Sequence, residues 1–396
     1  MLSKKESFII IIFVLYISSR PPFLVVNIAI ILLFLFLVRL HFKYSIDFFD
    51  KYTVSILIIY PIISFFYFLI FNTLEVFLSI RMFILLIMTI WILKLMRYNF
   101  LFTFEKILYF LTIIALIFYP VQLLSPDKTL ILVSNISQFN PLTEQDEEMK
   151  NFLIWGMDVD GGIRNSGFAW EPKAFVNFLI LGIIIRLIQN NLNFKDKRIL
   201  IYTLAAITTL STTGYLILFG LIPLFILFNK SPDKFFIYLI PATLIFIYIM
   251  QLDFMWDKIK MEWEGRYEYE KLLSDSRTFS KRSLGRTPSM MVDLIDFSKQ
   301  PILGFGMQRD LRTQSVYTKL VRVNGLTDWI ASFGIIGIIL FIFGHYYGFK
   351  KYLSIYNLSG ASILVVIIAV IYFATTVTTH LFWLCLMFLF TIQLKK

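Results

Sequence analysis

Three stretches of this chain gather side chains suited to holding or transforming charged groups. RNSGFAWEPKAF, residues 164 to 175, sets Arg164, Glu171 and Lys173 at the threshold of a long apolar run. SRTFSKRSLGR, residues 276 to 286, carries Arg277, Lys281, Arg282 and Arg286 with no acid among them. Residues 301 to 329 add Arg309, Arg312, Arg322 and Asp328 beside the glycines of PILGFG. Guanidinium groups grip phosphate or carboxylate oxygens through charge-assisted, often paired hydrogen bonds, so arginines clustered without acids read as a phosphate cradle. Each group also has a plainer reading. Arg164 and Lys173 fit anchors that snorkel at a membrane boundary, and the 277–286 cluster fits attraction to anionic headgroups. Glu171, directly before Pro172, suits acid–base work or a helix start where a carboxylate meets the positive end of the dipole.

The surroundings of these groups are apolar almost throughout. The chain has 396 residues, 58% hydrophobic and only 16% charged, with 43 Phe and 20 Tyr. A soluble domain carries about a quarter charged residues. Spans of about 20 apolar residues fall at 5–19, 22–38, 53–71, 74–93, 104–124, 174–190, 198–212, 214–228, 235–251, 329–348, 361–376 and 379–394. The expected fold is therefore an all-α polytopic membrane protein with about twelve transmembrane helices. Lys and Arg crowd alternate connections, among them Lys94, Arg97, Lys195, Lys197, Arg198, Lys350 and Lys351. That asymmetry places both termini on the cytoplasmic side and accounts for most of the net charge of +11. A nucleic-acid surface, which needs a basic stripe on a folded domain, is not expected. The first apolar run ends in SSRPP rather than at a small-residue cleavage site, so it reads as a span and not a cleaved leader.

Five segments follow: helices 1–5 in 1–124, a first extracytoplasmic loop in 125–173, helices 6–9 in 174–251, a larger extracytoplasmic loop in 252–328, and helices 10–12 in 329–396. Polar loops of that length point to function or to local folding. In the larger loop, PSMMVDLIDFSK reads as an amphipathic helix with Met290, Met291, Leu294 and Ile295 on one face and Asp293 and Asp296 on the other. It is expected on the membrane surface or against the bundle. The lone Cys385 excludes an internal disulfide. DVDGG (158–162) lacks the further oxygen ligands and closing Glu of a calcium loop, so no metal is expected.

Four motifs, in order, resemble the superfamily of O-antigen polymerases and O-antigen ligases. RNSGFAWEPKAFVNFL is similar to its R-x-x-G-x-x-x-E/N-P-x-x-x-A/V pattern at the start of a mid-chain span. LSTTGYLILF (210–219) is similar to its Ser/Thr-rich stretch one hairpin later. GRTPSMMVDLIDFSKQPILGFG (285–306) resembles the large-loop pattern that opens on Gly-Arg and closes on P-x-x-G-x-G, and NGLTDWIASFGIIGIIL (324–340) the tail leading into the next span. The likeness covers about residues 160–345; the first five spans match in hydropathy alone. Ligases of the family carry a His-Asn pair eleven residues before the Gly that closes this tail. Here Val323 and Asn324 stand there, and the missing histidine favours polymerase over ligase.

The resemblance implies a bundle like that of the lipid-dependent (GT-C) glycosyltransferases, a bilayer setting in the bacterial cytoplasmic membrane, and lipid-linked oligosaccharides as donor and acceptor, with a chain-length regulator as a further partner and no cofactor. Such a reaction expels a lipid diphosphate, whose charge needs preorganised cations, while a base takes the proton of the attacking hydroxyl. Arg164 and Arg286 are the leading candidates for the diphosphate, with Lys173, Arg277 and Arg282 around them. Arg309, a further substrate-binding candidate, and Arg312 and Arg322 are either acceptor-glycan contacts or solvated. Arg81, about two turns into the fourth span, is a further substrate-binding candidate or half of a structural pair. Glu171, Asp328 and His380 are the candidate bases; the plainer reading of His380 is interhelical packing. Gly304 and Gly306 are expected to serve backbone geometry.

Overall fold

The computed structural model describes residues 2–19, 26–45, 49–72, 75–138, 149–151, 154–158, 163–229, 281–283, 286–313, 319–375 and 380–392, with isolated positions at 240, 244, 247, 256, 260 and 264. Among the described residues, seven helices are long and apolar enough to cross a membrane. They are α2 (Val26–Tyr44), α3 (Lys51–Phe71), α4 (Val76–Met96), α5 (Asn99–Leu124), α7 (Pro172–Gln189), the run Thr212–Asn229, and α12 (Gly325–Ser354). That run comprises α9 (Thr212–Leu216), a π turn (Ile217–Leu221) and α10 (Ile222–Asn229). Four other expected spans form shorter helices: α1 (Lys4–Ser19), α8 (Lys197–Thr208), α13 (Ala361–Ala374) and α14 (Leu381–Met387), of 16, 12, 14 and 7 residues. The span expected at 235–251 lies outside the described residues apart from three isolated positions.

α7 is the most enclosed of the seven. It packs on α5 and α8, and Gly182 lets Leu108 and Tyr202 approach its backbone. Around it Phe104, Phe178, Phe382 and Trp383 form an aromatic core, with the Phe104 and Phe382 rings 4.4 Å apart. At the end of α7 opposite Pro172, the buried Glu105 of α5 is held by Arg198 at 2.8 Å and by the Tyr202 hydroxyl. A buried carboxylate needs such partners.

Both long loops contain ordered structure. The first holds α6 (Pro126–Gln138) and an antiparallel pair, β1 (Met149–Asn151) with β2 (Gly156–Asp158). Val133, Trp155 and Met157 form a small apolar cluster there, with Trp155 stacked on Phe118 at 5.2 Å. The second holds β3 (Lys281–Ser283), α11 (Arg286–Lys299) and β4 (Lys319–Val321), with β3 parallel to β4.

α12 is interrupted. Gly334 takes φ 60°, ψ −152° and divides it into two half-helices, each leaving backbone groups without partners in its own helix. PILGFG supplies them. Phe305 and Gly306 N–H donate to the Ala331 and Ser332 carbonyls at 3.1 and 2.6 Å, while Ile335 N–H donates to Pro301 O at 2.8 Å. Tyr67 of α3 donates its hydroxyl to Leu303 O at 2.5 Å. Gly304 has φ +67°, and a Cβ there would stand 2.5 Å from the Ser332 carbonyl. The Gly304→Ala variant is therefore expected to lose at least the ~1–2 kcal/mol of the left-handed backbone, with the steric conflict added. A thermal unfolding series in detergent measures this, and an unshifted Tm would contradict the close approach.

Candidate functional site

Segment 163–171 is tied down on several sides before it reaches α7. Tyr119 and Gln122 of α5 donate to the Ile163 and Arg164 carbonyls at 2.8 and 3.2 Å. Asn165 bonds the end of α8 twice, through its N–H to Thr208 O and its amide to Thr208 Oγ1. Gly167 N–H returns to Asn165 Oδ1 at 3.0 Å, the side-chain turn that Asn favours. Gly167 has φ +51°, and the Phe175 ring fills the space of its missing Cβ. Arg164 donates Nε–H to Thr209 O at 3.1 Å, which joins the first motif to the threshold of the Ser/Thr-rich one.

Glu171 is the N-cap of α7, followed by Pro172, yet its carboxylate makes no capping hydrogen bond. It pairs instead with Lys173 at 2.9 Å. Its Oε1 is buried and has no hydrogen-bond partner. Burial pushes the carboxyl above the ordinary value of 4.5; Lys173, Arg286 and Arg164, in that order, pull it back. Those opposing influences locate the site: Arg286, at the start of α11, stands close enough to share its field with the α7 threshold. Arg286 is half-buried and forms no hydrogen bond or ion pair with any described residue. Lys173 also lies 5.7 Å over the Trp170 ring. The half-buried carboxylate where α7 begins thus lies in the field of two guanidinium groups and an ammonium.

The chain matches no family model, no curated protein and no solved structure.

The remaining sequence candidates are placed elsewhere or lie outside the described side chains. Asp328 is held by Arg312 Nη1 at 2.5 Å, which engages the carboxylate that base chemistry needs. His380 is the N-cap of α14, buried, with Nδ1 3.0 Å from the Ser18 carbonyl of α1, a packing contact between helices. Arg81 is half-buried on α4. Arg277 and the side chains of Arg282 and Arg309 fall outside the described residues; the backbones of the last two lie in β3 and in a 3-10 turn over Arg309–Leu311.

α11 packs against α12, one of its two expected places, and it turns its acidic face inward. Asp293 and Asp296 point inward at 1% and 0% exposure, while Leu294 is 43% exposed. The counter-charge comes from downstream. Arg312 reaches Asp293 at 2.7 Å and Asp296 at 3.3 Å, and Arg322 reaches the same pair at 2.6 and 3.1 Å. Arg312 and Arg322, expected to be solvated or to touch glycan, are internal. Burial lifts Asp293 to about 6, aided by Asp328 and opposed by Arg312 and Arg322. Two carboxylates three residues apart on a helix, followed by Arg312 and Arg322 downstream, were the available signal. Hydrophobic patterning pointed the other way.

Proposed function

We propose that this chain is an inverting membrane glycosyltransferase that polymerises lipid-diphosphate-linked oligosaccharide repeat units on the outer face of the cytoplasmic membrane, releasing undecaprenyl diphosphate. The observation that carries the reading is the convergence of Arg164, Glu171, Lys173 and Arg286 at one end of the bundle. The acceptor hydroxyl attacks the anomeric carbon of the donor as the bond from that carbon to the diphosphate oxygen breaks. The hydroxyl proton passes to Glu171, and Arg286 and Arg164 meet the charge that develops on the departing diphosphate. Glu171 suits the base because one oxygen is unbonded while the other is oriented by Lys173. The twelve-span topology with cytoplasmic termini belongs to this reading, since it sets the site opposite the termini.

Transport of a lipid-linked saccharide is the second reading, favoured by the interruption of α12 at Gly334, because broken spans are a feature of transporters. Deletion separates the possibilities in a glycan ladder gel. Single-repeat glycans on lipid A core, or single units left on the carrier, support the polymerase. Unmodified core with long polymer still on its carrier supports a ligase, and loss of all outer-leaflet repeat units supports transport.

A pH profile tests the base. Because burial raises Glu171, the acid limb of the rate is expected above the ordinary glutamate value of 4.5, with activity lost as pH falls and the carboxylate is protonated. Glu171→Gln should remove that limb together with most of the rate. An unchanged profile in the Gln variant assigns the base elsewhere.

A further inference from the structure

We propose that Arg312 and Arg322 are positioning residues: by clamping Asp293 and Asp296 of α11 against α12, they set Arg286 opposite Glu171. The proposal rests on reading Arg286 as the group that receives the departing diphosphate. Arg286 and the α7 threshold belong to separate parts of the chain, so their meeting depends on what holds α11. That element packs on α12, and the contact is polar. Thr327 donates to Asp293 Oδ2 at 2.6 Å, and Val323 N–H donates to Ser289 Oγ at 3.2 Å. Arg312 adds Asp328 at 2.5 Å and Ser332 Oγ at 3.3 Å to its two α11 carboxylates. Arg322 adds the Thr313 carbonyl at 2.5 Å.

Arg286, Ser289, Asp293 and Asp296 recur at the spacing of one helix face. The guanidinium fork of Arg312 spans three carboxylates in fixed directions, which a lysine ammonium cannot reproduce. A satisfied buried network of this kind fixes orientation more sharply than apolar contact. The lever is long: Arg286 lies about 15 Å along the axis from Asp296. A tilt of roughly 10° about that anchor moves the guanidinium by ~2–3 Å, whereas a misplacement of ~1 Å already costs about 10²-fold in rate.

The test uses the full chain in nanodiscs with spin labels at two exposed positions, Ile163→Cys and Leu294→Cys; the native Cys385 is buried. Electron–electron resonance is expected to give one narrow distance in the parent and a broad distribution in Arg312→Lys. In initial-rate assays with undecaprenyl-diphosphate-linked oligosaccharide, Arg312→Lys should lower polymerisation about 10–100-fold, yet lower it no further in an Arg286→Ala background. An unchanged distance distribution, or equal losses in both backgrounds, overturns the proposal. Broadening in a protein whose parent makes no polymer supports the clamp and removes the polymerase reading. If Arg312→Lys does not accumulate, Asp328→Asn, which removes one partner of Arg312, carries the same two readouts.

Discussion

Arg286→Ala is expected to abolish the polymer ladder while protein level and insertion stay normal. The guanidinium is half-buried and bonds no described residue, so truncation removes little that holds the fold. In the proposed reaction it is the cation that meets the charge on the departing diphosphate, and deleting one such preorganised donor costs ~10²–10³-fold in rate. Released undecaprenyl diphosphate, measured as an initial rate, should fall by that factor, and chains beyond a few repeats should disappear from gels. Arg164→Ala should have a similar effect on rate with some loss of order, because its Nε–H also ties the 163–171 segment to Thr209. Wild-type chain lengths in both variants would remove the assignment of these arginines.

Asp293→Ala is expected to be the most destabilising single change in the second loop. It withdraws the acceptor of Arg312 Nη2, Arg322 Nη1 and Thr327 Oγ1 at once. Removing one partner from a buried ionic cluster leaves uncompensated charge and costs ~3–5 kcal/mol. Asp293→Asn should be milder, and the sign of its pH dependence follows from burial. The folded-state pKa, about 6, lies above the ordinary aspartate value of 3.8, so the folded protein holds this proton more tightly than the unfolded chain does. The stability contributed by Asp293 therefore declines as pH rises from about 4 through 6. The difference between parent and Asp293→Asn should then be smaller at pH 7 than at pH 5. Thermal unfolding at the two pH values measures both effects, and a larger Asn penalty at pH 7 would show that the ionised form is the stabilising one.

How much of this was legible in the sequence depends on the element. Uniformly apolar runs such as those of α4, α5 and α7 carry their own signal, because a helix that must shed all contact with water needs no periodicity to be found. α8 and α13 were harder, since length decides whether an apolar helix spans, and helix ends carry no hydrophobic mark. The RNSGFAWEPK threshold was readable from residue type, whereas Arg286 was singled out by its Gly-Arg position in the resembling motif, and charge alone did not bring its field to Glu171. The inward face of α11 was not readable. Met290, Met291, Leu294 and Ile295 form the better apolar stripe, and only the arrival of Arg312 and Arg322 makes burial of two carboxylates affordable. The interruption at Gly334 was likewise hidden, because GIIG in an apolar run looks continuous until PILGFG is found bonding to its free backbone groups.

The most direct measurement is a defined reaction: purified full chain in proteoliposomes, given undecaprenyl-diphosphate-linked oligosaccharide as sole substrate. The account predicts a ladder of lengthening glycans, with one undecaprenyl diphosphate released for each new linkage and both lost in Arg286→Ala. Lipid-linked saccharide that crosses the bilayer unchanged, or that persists without any diphosphate release, would contradict it.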